Sequence, residues 1–316
     1  MSAAVDAPGT TWLDSRMRDR RRRGGRAALV LLGVLALAGC APALPSLSPS
    51  AAGGSPGPTG LPESQAPDGV VPGRLPPPLV IAHEVPYPSG TLFDPVRDDA
   101  VTYLTRSPIL AQSLAPFSCE LSTISPRDQA QVRVLGVEAV ACLDRAYRPL
   151  VEAAGFEFTS PVLEFSEISC GENSSTGEYC VDTAAIFLDA QHVLGQYGDT
   201  RLGPLWVVAH EYAHHLQGLA GLWDARLATL AAGVDDLEAN RRFELQATCL
   251  GAQALAAWDQ AGWSGRDAEE FVRQFGPTDT DTHGTGESNL SWIATGLSSG
   301  ELIACDTWSA RPADVD

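Results

Sequence analysis

Lysine is absent from this 316-residue chain, and positive charge of any kind is scarce. All 21 basic residues are arginine, against 39 Asp and Glu, so the formal net charge is −18. From Cys40 onward, 14 arginines oppose 36 acidic residues, a net charge of −22. A surface this acidic repels phosphate groups, which argues against nucleic acid as an electrostatic partner. The simplest interpretation of the charge is a solvated surface.

The chain also lacks an apolar run long enough to span a bilayer, which requires about 20 residues. The run at residues 27–38 has only twelve, and it follows a basic stretch with seven arginines between residues 16 and 26. It ends in the sequence LAGC at Cys40, which resembles the lipobox of bacterial lipoproteins. We therefore predict a lipoprotein signal peptide over residues 1–39, with Cys40 lipidated. The alternative is a plain signal peptide that happens to be followed by a cysteine.

The segment after the lipobox, residues 40–79, is rich in Pro, Gly, Ser and Ala. Such a composition does not bury an apolar core, so we predict a disordered tether. Residues 80–316 are then expected to form one folded domain. The protein would be exported and anchored through Cys40 to the outer face of the cytoplasmic membrane, or to the outer membrane of a two-membrane cell. Met17 would give a signal peptide of ordinary length, so it is a candidate start beside Met1.

No CxxC pair is present, which disfavours a thiolate metal site. Six cysteines follow Cys40, and an even number in an exported protein predicts disulfides. The sequence alone does not fix the pairing. A turn-rich loop makes Cys170–Cys180 the easiest pair to form, and proximity and elimination suggest the other two, Cys119–Cys142 and Cys249–Cys305.

Helical periodicity dominates the folded part, and no internal repeat is evident. Pro149 is predicted to kink or break the last part of the first long helix. Short alternating or apolar runs at residues 156–158, 162–165 and 184–188 are typical of strands. The predicted class is therefore α+β, mainly helical with a small antiparallel sheet. The predicted helices cover residues 127–154, 202–219, 235–258, 266–275 and 289–297.

The sequence His210-Glu211-Tyr212-Ala213-His214 lies within the second of these helices. Residues four apart share a helix face, so both histidines can direct an imidazole nitrogen at one metal ion. Glu211 lies close by and can accept a proton from a metal-bound water. An H-E-x-x-H sequence on a helix is typical of zinc peptidases. The alternative is a pair of ordinary core histidines.

Catalytic zinc usually has three protein ligands and a water, so a third ligand is expected elsewhere in the chain. Glu244 is the best candidate, because it lies among apolar residues of the helix predicted at 235–258. A buried carboxylate needs a partner, and a metal would provide one. The alternative is an ion pair with Arg241 or Arg242. We expect one Zn²⁺ per chain.

Several segments taken in order resemble the bacterial family of neutral zinc metallopeptidases, which are zincins with a glutamate as third ligand. The resemblance covers about residues 114–300. It implies a zincin-like fold, zinc held by His210, His214 and Glu244, and cleavage of a peptide or protein substrate. The matching segments are Cys170-Gly171 with Tyr179-Cys180, residues 186–189 (IFLD), 210–217 (HEYAHHLQ) and 244–249 (ELQATC), and His283-Gly284 followed by Trp292 and Gly296.

Two further positions bear on catalysis. The family pattern commonly has Asp at the position of Thr248, where a carboxylate would orient a ligand histidine through its second nitrogen. Threonine brings no charge, so either zinc binds more weakly here or another group replaces the Asp. His283 lies in a loop and is interpreted as a donor that stabilises the oxyanion of the transition state, or as a histidine with local bonds only.

These features support two functional hypotheses. The first is a zinc-dependent peptidase of the cell envelope, with Glu211 as general base. The second is a catalytically weak or inactive lipoprotein that uses a zincin fold for binding or assembly, which is motivated by Thr248. No feature of the sequence indicates an oligomeric state.

Overall fold

The computed structural model describes residues 75–81, 92–166, 170, 176–263, 265–275 and 279–316. All of them belong to one compact unit, Ser64–Asp316. The predicted signal peptide, the lipidation site at Cys40, the choice between Met1 and Met17 and most of the tether lie outside the described residues. Within the described part, no helix combines the length and the apolar character that crossing a bilayer requires.

Helices make up most of the described structure, and a small sheet lies between them, so the predicted α+β class is confirmed. The strands are β1 (Val162–Glu164), β2 (Gly177–Cys180) and β3 (Ala185–Leu188). Short 3-10 turns at Asp259–Ala261, Leu302–Cys305 and Pro312–Asp314 complete the chain. The helices are α1 (Ala100–Arg106), α2 (Gln129–Ala153), α3 (Ala190–Tyr197), α4 (Leu202–Leu219), α5 (Leu222–Ala231), α6 (Asp236–Ala257), α7 (Gly265–Phe275) and α8 (Gly286–Ser298).

The two helices that matter most for the site are stabilised differently. Helix α6 begins after Asp235, whose carboxylate accepts a hydrogen bond from the backbone N–H of Glu238. Acidic residues in its first turn also interact favourably with the helix dipole. Helix α4 has no side-chain cap, and it is buried over most of its surface. Packing rather than capping therefore holds α4 in place.

Pro149 does not break α2, so that part of the prediction is wrong. The helix continues to Ala153, and the backbone N–H of Ala154 still bonds to the carbonyl of Leu150. Pro149 lies on the exposed side of the last turns, where the missing N–H is easily tolerated. Its neighbours Tyr147 and Val151 are fully buried and anchor the helix on both sides.

The sheet is mixed rather than purely antiparallel, with the strand order β1-β3-β2. Strands β2 and β3 form an antiparallel pair, with Tyr179 opposite Ile186. Strand β1 pairs with the other edge of β3 in parallel, with Leu163 opposite Ile186. Only one of the two pairings therefore has the predicted direction, because β1 is not joined to β3 by a hairpin.

Residues 156–158 form no strand, although their alternation predicted one. Phe156 and Phe158 are both buried in the core, and Glu157 between them is exposed. Alternating burial thus arises here in an extended segment without a paired neighbour. The same alternation correctly predicted β1, where a partner strand is present.

Helix α4 lies at the centre of the unit and packs against α2, α6 and the sheet, while α6 packs in turn against α8. Gly251 allows α4 and α6 to approach closely. A Cβ atom at Gly251 would lie only 3.1 Å from the backbone nitrogen of His210. This contact brings the face of α6 that carries Glu244 and Thr248 against the histidines of α4.

All three predicted cysteine pairs form disulfides. The Cα–Cα distances are 5.8 Å for Cys119–Cys142, 5.8 Å for Cys170–Cys180 and 5.6 Å for Cys249–Cys305. Three disulfides indicate an oxidising compartment and therefore an exported protein. The lipid anchor stays a prediction, since Cys40 lies outside the described residues.

The first described segment, residues 75–81, packs on the folded unit. Leu75, Leu79 and Ile81 contact the hydrophobic core. The backbone N–H of Leu79 donates to Oγ1 of Thr295 on α8, at 2.9 Å. Residues 75–79 were predicted to be tether and belong instead to the folded unit, because these leucines and the isoleucine supply apolar surface that the composition as a whole lacks.

Candidate metal centre and its cavity

The predicted ligand residues meet between α4 and α6. One carboxylate oxygen of Glu244, Oε2, lies 3.3 Å from Nε2 of His210 and 3.0 Å from Nε2 of His214. Among the described residues, these three form a group whose ligand atoms all lie within 4.8 Å of one another. The alternative pairing of Glu244 with an arginine is wrong, because Arg241 pairs with Asp316 and Arg242 with Glu238.

The spacing of these atoms fits a small divalent cation. Tetrahedral zinc with ligands at about 2.0–2.1 Å holds neighbouring ligand atoms about 3.3 Å apart. The observed separations to Glu244 are 3.0 and 3.3 Å.

A second group, Cys170, Glu178 and Cys180, has comparable spacing. Its cysteines are joined in a disulfide, so that group offers no thiolates to a metal.

Burial and mutual contacts shift the pKa values of the three residues in different directions. Burial lowers the pKa of His214, but the charge and hydrogen bond of Glu244 outweigh it and raise the pKa to about 9. Burial raises the pKa of Glu244, yet positive His214 and hydrogen bonds from three histidines hold it well below its usual range. For His210, burial dominates and lowers the pKa to about 4. A divalent cation bound by these residues would compete with protons for His214.

Glu211 follows His210 on α4 and lines the same cavity. Its side chain is only 7% exposed, and burial raises the pKa of its carboxyl group to about 7. Strand β2 packs directly onto it: a Cβ atom at Gly177 would lie 3.1 Å from Cγ of Glu211 and 2.4 Å from Cγ1 of Val207. A carboxylate with a pKa near neutrality is suited to accept and release a proton.

The second nitrogens of the two ligand histidines have unequal partners. Nδ1 of His214 lies 2.7 Å from Oε1 of Gln217, a fully buried residue. The Gln217 amide donates to the carbonyl of Phe243 and to Oε1 of Gln246. Its oxygen therefore faces His214, and Nδ1 of His214 is the donor. No role was predicted for Gln217, although a polar residue three positions after His214 in an apolar helix was the available signal.

Thr248 lies against the other ligand histidine, as expected. Its hydroxyl oxygen is 3.5 Å from Nδ1 of His210, a contact at the outer limit of a hydrogen bond. Thr248 is itself buried and lines the cavity. The second nitrogen of His210 therefore has a longer and weaker hydrogen-bond contact than the second nitrogen of His214.

His283 approaches the centre from the loop before α8. Its Nε2 lies 3.3 Å from Oε2 of Glu244, and its Nδ1 lies 2.9 Å from the hydroxyl of Thr282. The backbone of His283 is fixed as well, since its N–H donates to Thr280 and its carbonyl accepts from Asn289. The side chain is 41% exposed, and it lies outside the group of three ligands.

His215 is outside the candidate ligand group and makes local bonds. Its Nε2 donates to the carbonyl of Thr159 at 2.8 Å, and its Nδ1 lies 3.1 Å from the hydroxyl of Tyr179. Through Tyr179 it fixes β2, the strand that borders Glu211.

The centre opens into a cavity of about 420 Å³. His210, Glu211 and His283 form one part of its surface. Aromatic side chains form another part, and they were not predicted as a group. These are Tyr197, Trp206, Trp263, Phe271 and Phe275.

Fold and site together define an α+β protein with a candidate metal centre of two histidines and a glutamate at an aromatic-lined cavity. No family model matches the chain. It is 26% identical over 226 residues to an Escherichia coli K12 protein described as "Uncharacterized protein YpfJ", covering 61% of this chain and 77% of that protein. A protein of the same description from E. coli O6:H1 gives the same values. No solved structure matches. These relatives carry no described activity.

Proposed function

We propose that the protein is a zinc-dependent peptidase of the cell envelope. The observation that carries this proposal is the convergence of His210, His214 and Glu244 at one point, with Glu211 lining the same cavity. Two imidazoles, one carboxylate and an open side are typical of catalytic zinc sites. The proposal includes a zincin-like fold and one zinc per chain. The disulfides support the envelope location, together with the predicted signal peptide and lipid on Cys40.

Glu211 has the chemistry of the general base. When bound, zinc would polarise the scissile carbonyl and acidify the attacking water. Glu211 would accept the proton of that water at its carboxylate and then donate it to the leaving amine. Its burial supports this role, because a carboxyl group with a pKa of about 7 exchanges protons near neutral pH.

We propose that His283 acts on the substrate rather than on the metal. Its Nε2 faces the centre, and Thr282 and Thr280 hold the imidazole and the backbone in position. We assign to it a hydrogen bond to the oxygen that becomes negative when the carbonyl is attacked. The substrate would be a peptide or protein outside the cytoplasm.

One observation favours a second candidate, a catalytically weak zincin-fold module for binding or assembly. The contact between Thr248 and His210 is long, 3.5 Å, and carries no charge. Partners of this kind typically change metal affinity or activity by about 10–100-fold. A site that holds zinc loosely would lose catalysis before it lost its fold.

The test compares the wild-type protein with Glu211→Gln and with Glu157→Gln as control. Glu157 is an exposed carboxylate between two buried phenylalanines. We expect about one zinc per chain in all three by elemental analysis. Glu211→Gln should cleave a peptide library at least about 100-fold more slowly, whereas Glu157→Gln should match the wild type.

Two results would contradict the proposal. If the wild type holds stoichiometric zinc and cleaves no peptide in the library or in envelope extracts, the binding module is favoured. If it holds no zinc at all, the metal centre itself is wrong.

A further inference from the structure

The aromatic side of the cavity is built from three separate parts of the chain. Trp206 is on α4, Tyr197 ends α3, and Phe271 and Phe275 are on α7, while Trp263 lies in the segment before α7. All five rings line the same cavity as His210 and Glu211. We refer to them as the aromatic wall.

The rings of the aromatic wall contact one another continuously. Trp206 stacks on Trp263 with ring centroids 5.7 Å apart and an interplanar angle of 7°. Trp263 contacts Phe271 at 5.1 Å, and Phe271 stacks on Tyr197 at 5.6 Å. Phe275 closes the series against Tyr197 and Phe271. Such a surface offers apolar area and ring faces to a ligand that enters the cavity.

The wall begins directly beside the metal centre. Trp206 is four residues before His210 on α4, so both side chains lie on the same helix face. Their ring centroids are 6.5 Å apart. Trp206 and Phe275 are only partly buried, unlike Trp263 and Phe271, so two of the five rings keep accessible surface. A substrate held at the centre would therefore have its neighbouring side chain against this wall.

The charges of the lining favour an apolar occupant. Among the described lining residues, Glu211 is the only carboxylate and arginine is absent. No arginine is thus available among these residues to pair with an acidic side chain of a substrate. Val207, Val272 and Ile293 add apolar area beside the aromatic wall. The other lining residues include uncharged polar side chains, such as Gln196, Thr280 and Asn289. The volume of about 420 Å³ lies in the range of small-molecule pockets.

We propose that the aromatic wall is the specificity subsite of the enzyme and takes a large apolar side chain, preferably an aromatic one, adjacent to the scissile bond. This inference rests on the proposed peptidase function for its biological meaning. The physical claim is narrower: the cavity beside His210 binds an aromatic side chain more tightly than a small or an acidic one.

The experiment therefore measures binding separately from cleavage. The probes are the N-acetyl amides of phenylalanine, alanine and glutamate, titrated by calorimetry into the metal-free protein and into the zinc-loaded protein. We expect the phenylalanine probe to bind at least about tenfold more tightly than the alanine probe, because it buries an additional ring. The glutamate probe should bind no better than the alanine probe.

Two variants connect this preference to the wall. Phe275→Ala should reduce the advantage of the phenylalanine probe several-fold, since it removes one partly buried ring of the cavity. Gln196→Arg adds a positive charge from an exposed lining position and should favour the glutamate probe. Val134→Arg adds the same charge on α2, at a position 44% exposed, and should leave all three affinities unchanged.

The outcomes separate this inference from the proposed function. Equal binding of the three probes, or a preference unaffected by Phe275→Ala and Gln196→Arg, overturns the subsite even if the protein cleaves peptides. A clear aromatic preference in a zinc-loaded protein that cleaves nothing supports the subsite and rejects the peptidase. If both hold, peptides should be cleaved preferentially next to aromatic residues, with kcat/KM following the order of the probes.

Discussion

The two sides of the cavity are constructed on different principles. On the metal side, His210, His214 and Glu244 are held by directed hydrogen bonds between α4 and α6. On the aromatic wall, contacts are between ring faces and edges, which impose little direction. The buried indole nitrogen of Trp263 has no hydrogen-bond partner within the part of the chain that the structure describes. A polar network on the metal side would not tolerate such an omission without cost.

This difference in bonding indicates which property of the protein each side of the cavity controls. Directed bonds fix ligand orientation, so changes on the metal side should alter metal affinity. Ring packing contributes buried apolar area, so changes on the aromatic wall should alter stability and the choice of ligand. If the two sides are independent, variants of one should leave the characteristic property of the other intact.

The largest effect is expected from Trp263→Ala. Trp263 is 6% exposed and contacts both Trp206 and Phe271. Removing so large a buried side chain should lower the free energy of unfolding by about 3–5 kcal/mol. Denaturant titration of the metal-free protein measures this loss. Trp263→Phe is the matched control and should lose less than half as much, because it keeps an aromatic ring.

Zinc affinity of the folded Trp263→Ala protein should equal that of the wild type. A parallel loss of zinc affinity would show that the aromatic wall also positions the ligands, and the two sides would then not be independent.

The next largest effect is expected from Glu244→Gln on the metal side. The amide keeps the shape of the carboxylate but removes the charge that faces His214 and His210. The dissociation constant for zinc should rise at least about 100-fold, because a direct ligand contributes at least as much as its outer partners. Competition with a chelator measures it. Glu287→Gln, at an exposed position in the first turn of α8, should change nothing. Unchanged zinc affinity in Glu244→Gln would exclude Glu244 as a ligand.

The grouping of His210, His214 and Glu244 could be predicted from the sequence because its signal is local. His210 and His214 are separated by one helical turn, and Glu244 is a charged residue among apolar neighbours of a second helix. The disulfides and the long helices were also predictable, from cysteine number and helical periodicity. Each of these predictions required only the residues next to one another in the sequence or the number of residues of one type.

The parts that could not be predicted depend on tertiary contacts. The aromatic wall combines residues 197, 206, 263, 271 and 275, and no periodicity connects them. The role of Gln217 follows from which nitrogen of His214 it faces, which only the packing of α4 against α6 decides. The mixed sheet likewise depends on where β1 joins β3.

The unequal hydrogen-bond contacts of His214 and His210 predict a loss of zinc affinity of intermediate size. Gln217→Ala removes the 2.7 Å contact to His214 and the amide that donates to Oε1 of the buried Gln246. Zinc affinity should fall by about 10–100-fold. Thr248→Val is the matched comparison on the other side, where the contact to His210 is 3.5 Å long, and it should cost less than about tenfold.

Chelator competition on both proteins gives the ratio of the two effects. A larger loss of zinc affinity in Thr248→Val than in Gln217→Ala would mean that His210, not His214, has the stronger hydrogen-bond partner. Thr248 would then fully replace the carboxylate that the family resemblance led us to expect.

The smallest effect concerns the segment behind the aromatic wall. Leu75 packs on the cluster of Ala252, Val272 and Ile293, which Trp206 also contacts. Leu75→Ala should lower the free energy of unfolding by about 1–2 kcal/mol, because a partly buried leucine loses only part of its transfer energy. Val80→Ala is the control in the same segment, since Val80 is 98% exposed and should contribute nothing measurable. Zinc affinity should not change in either variant, because the segment supports the aromatic wall and not the ligands. Equal stability of the two variants would return residues 75–79 to the tether, and the aromatic wall would then not depend on Leu75 for its packing.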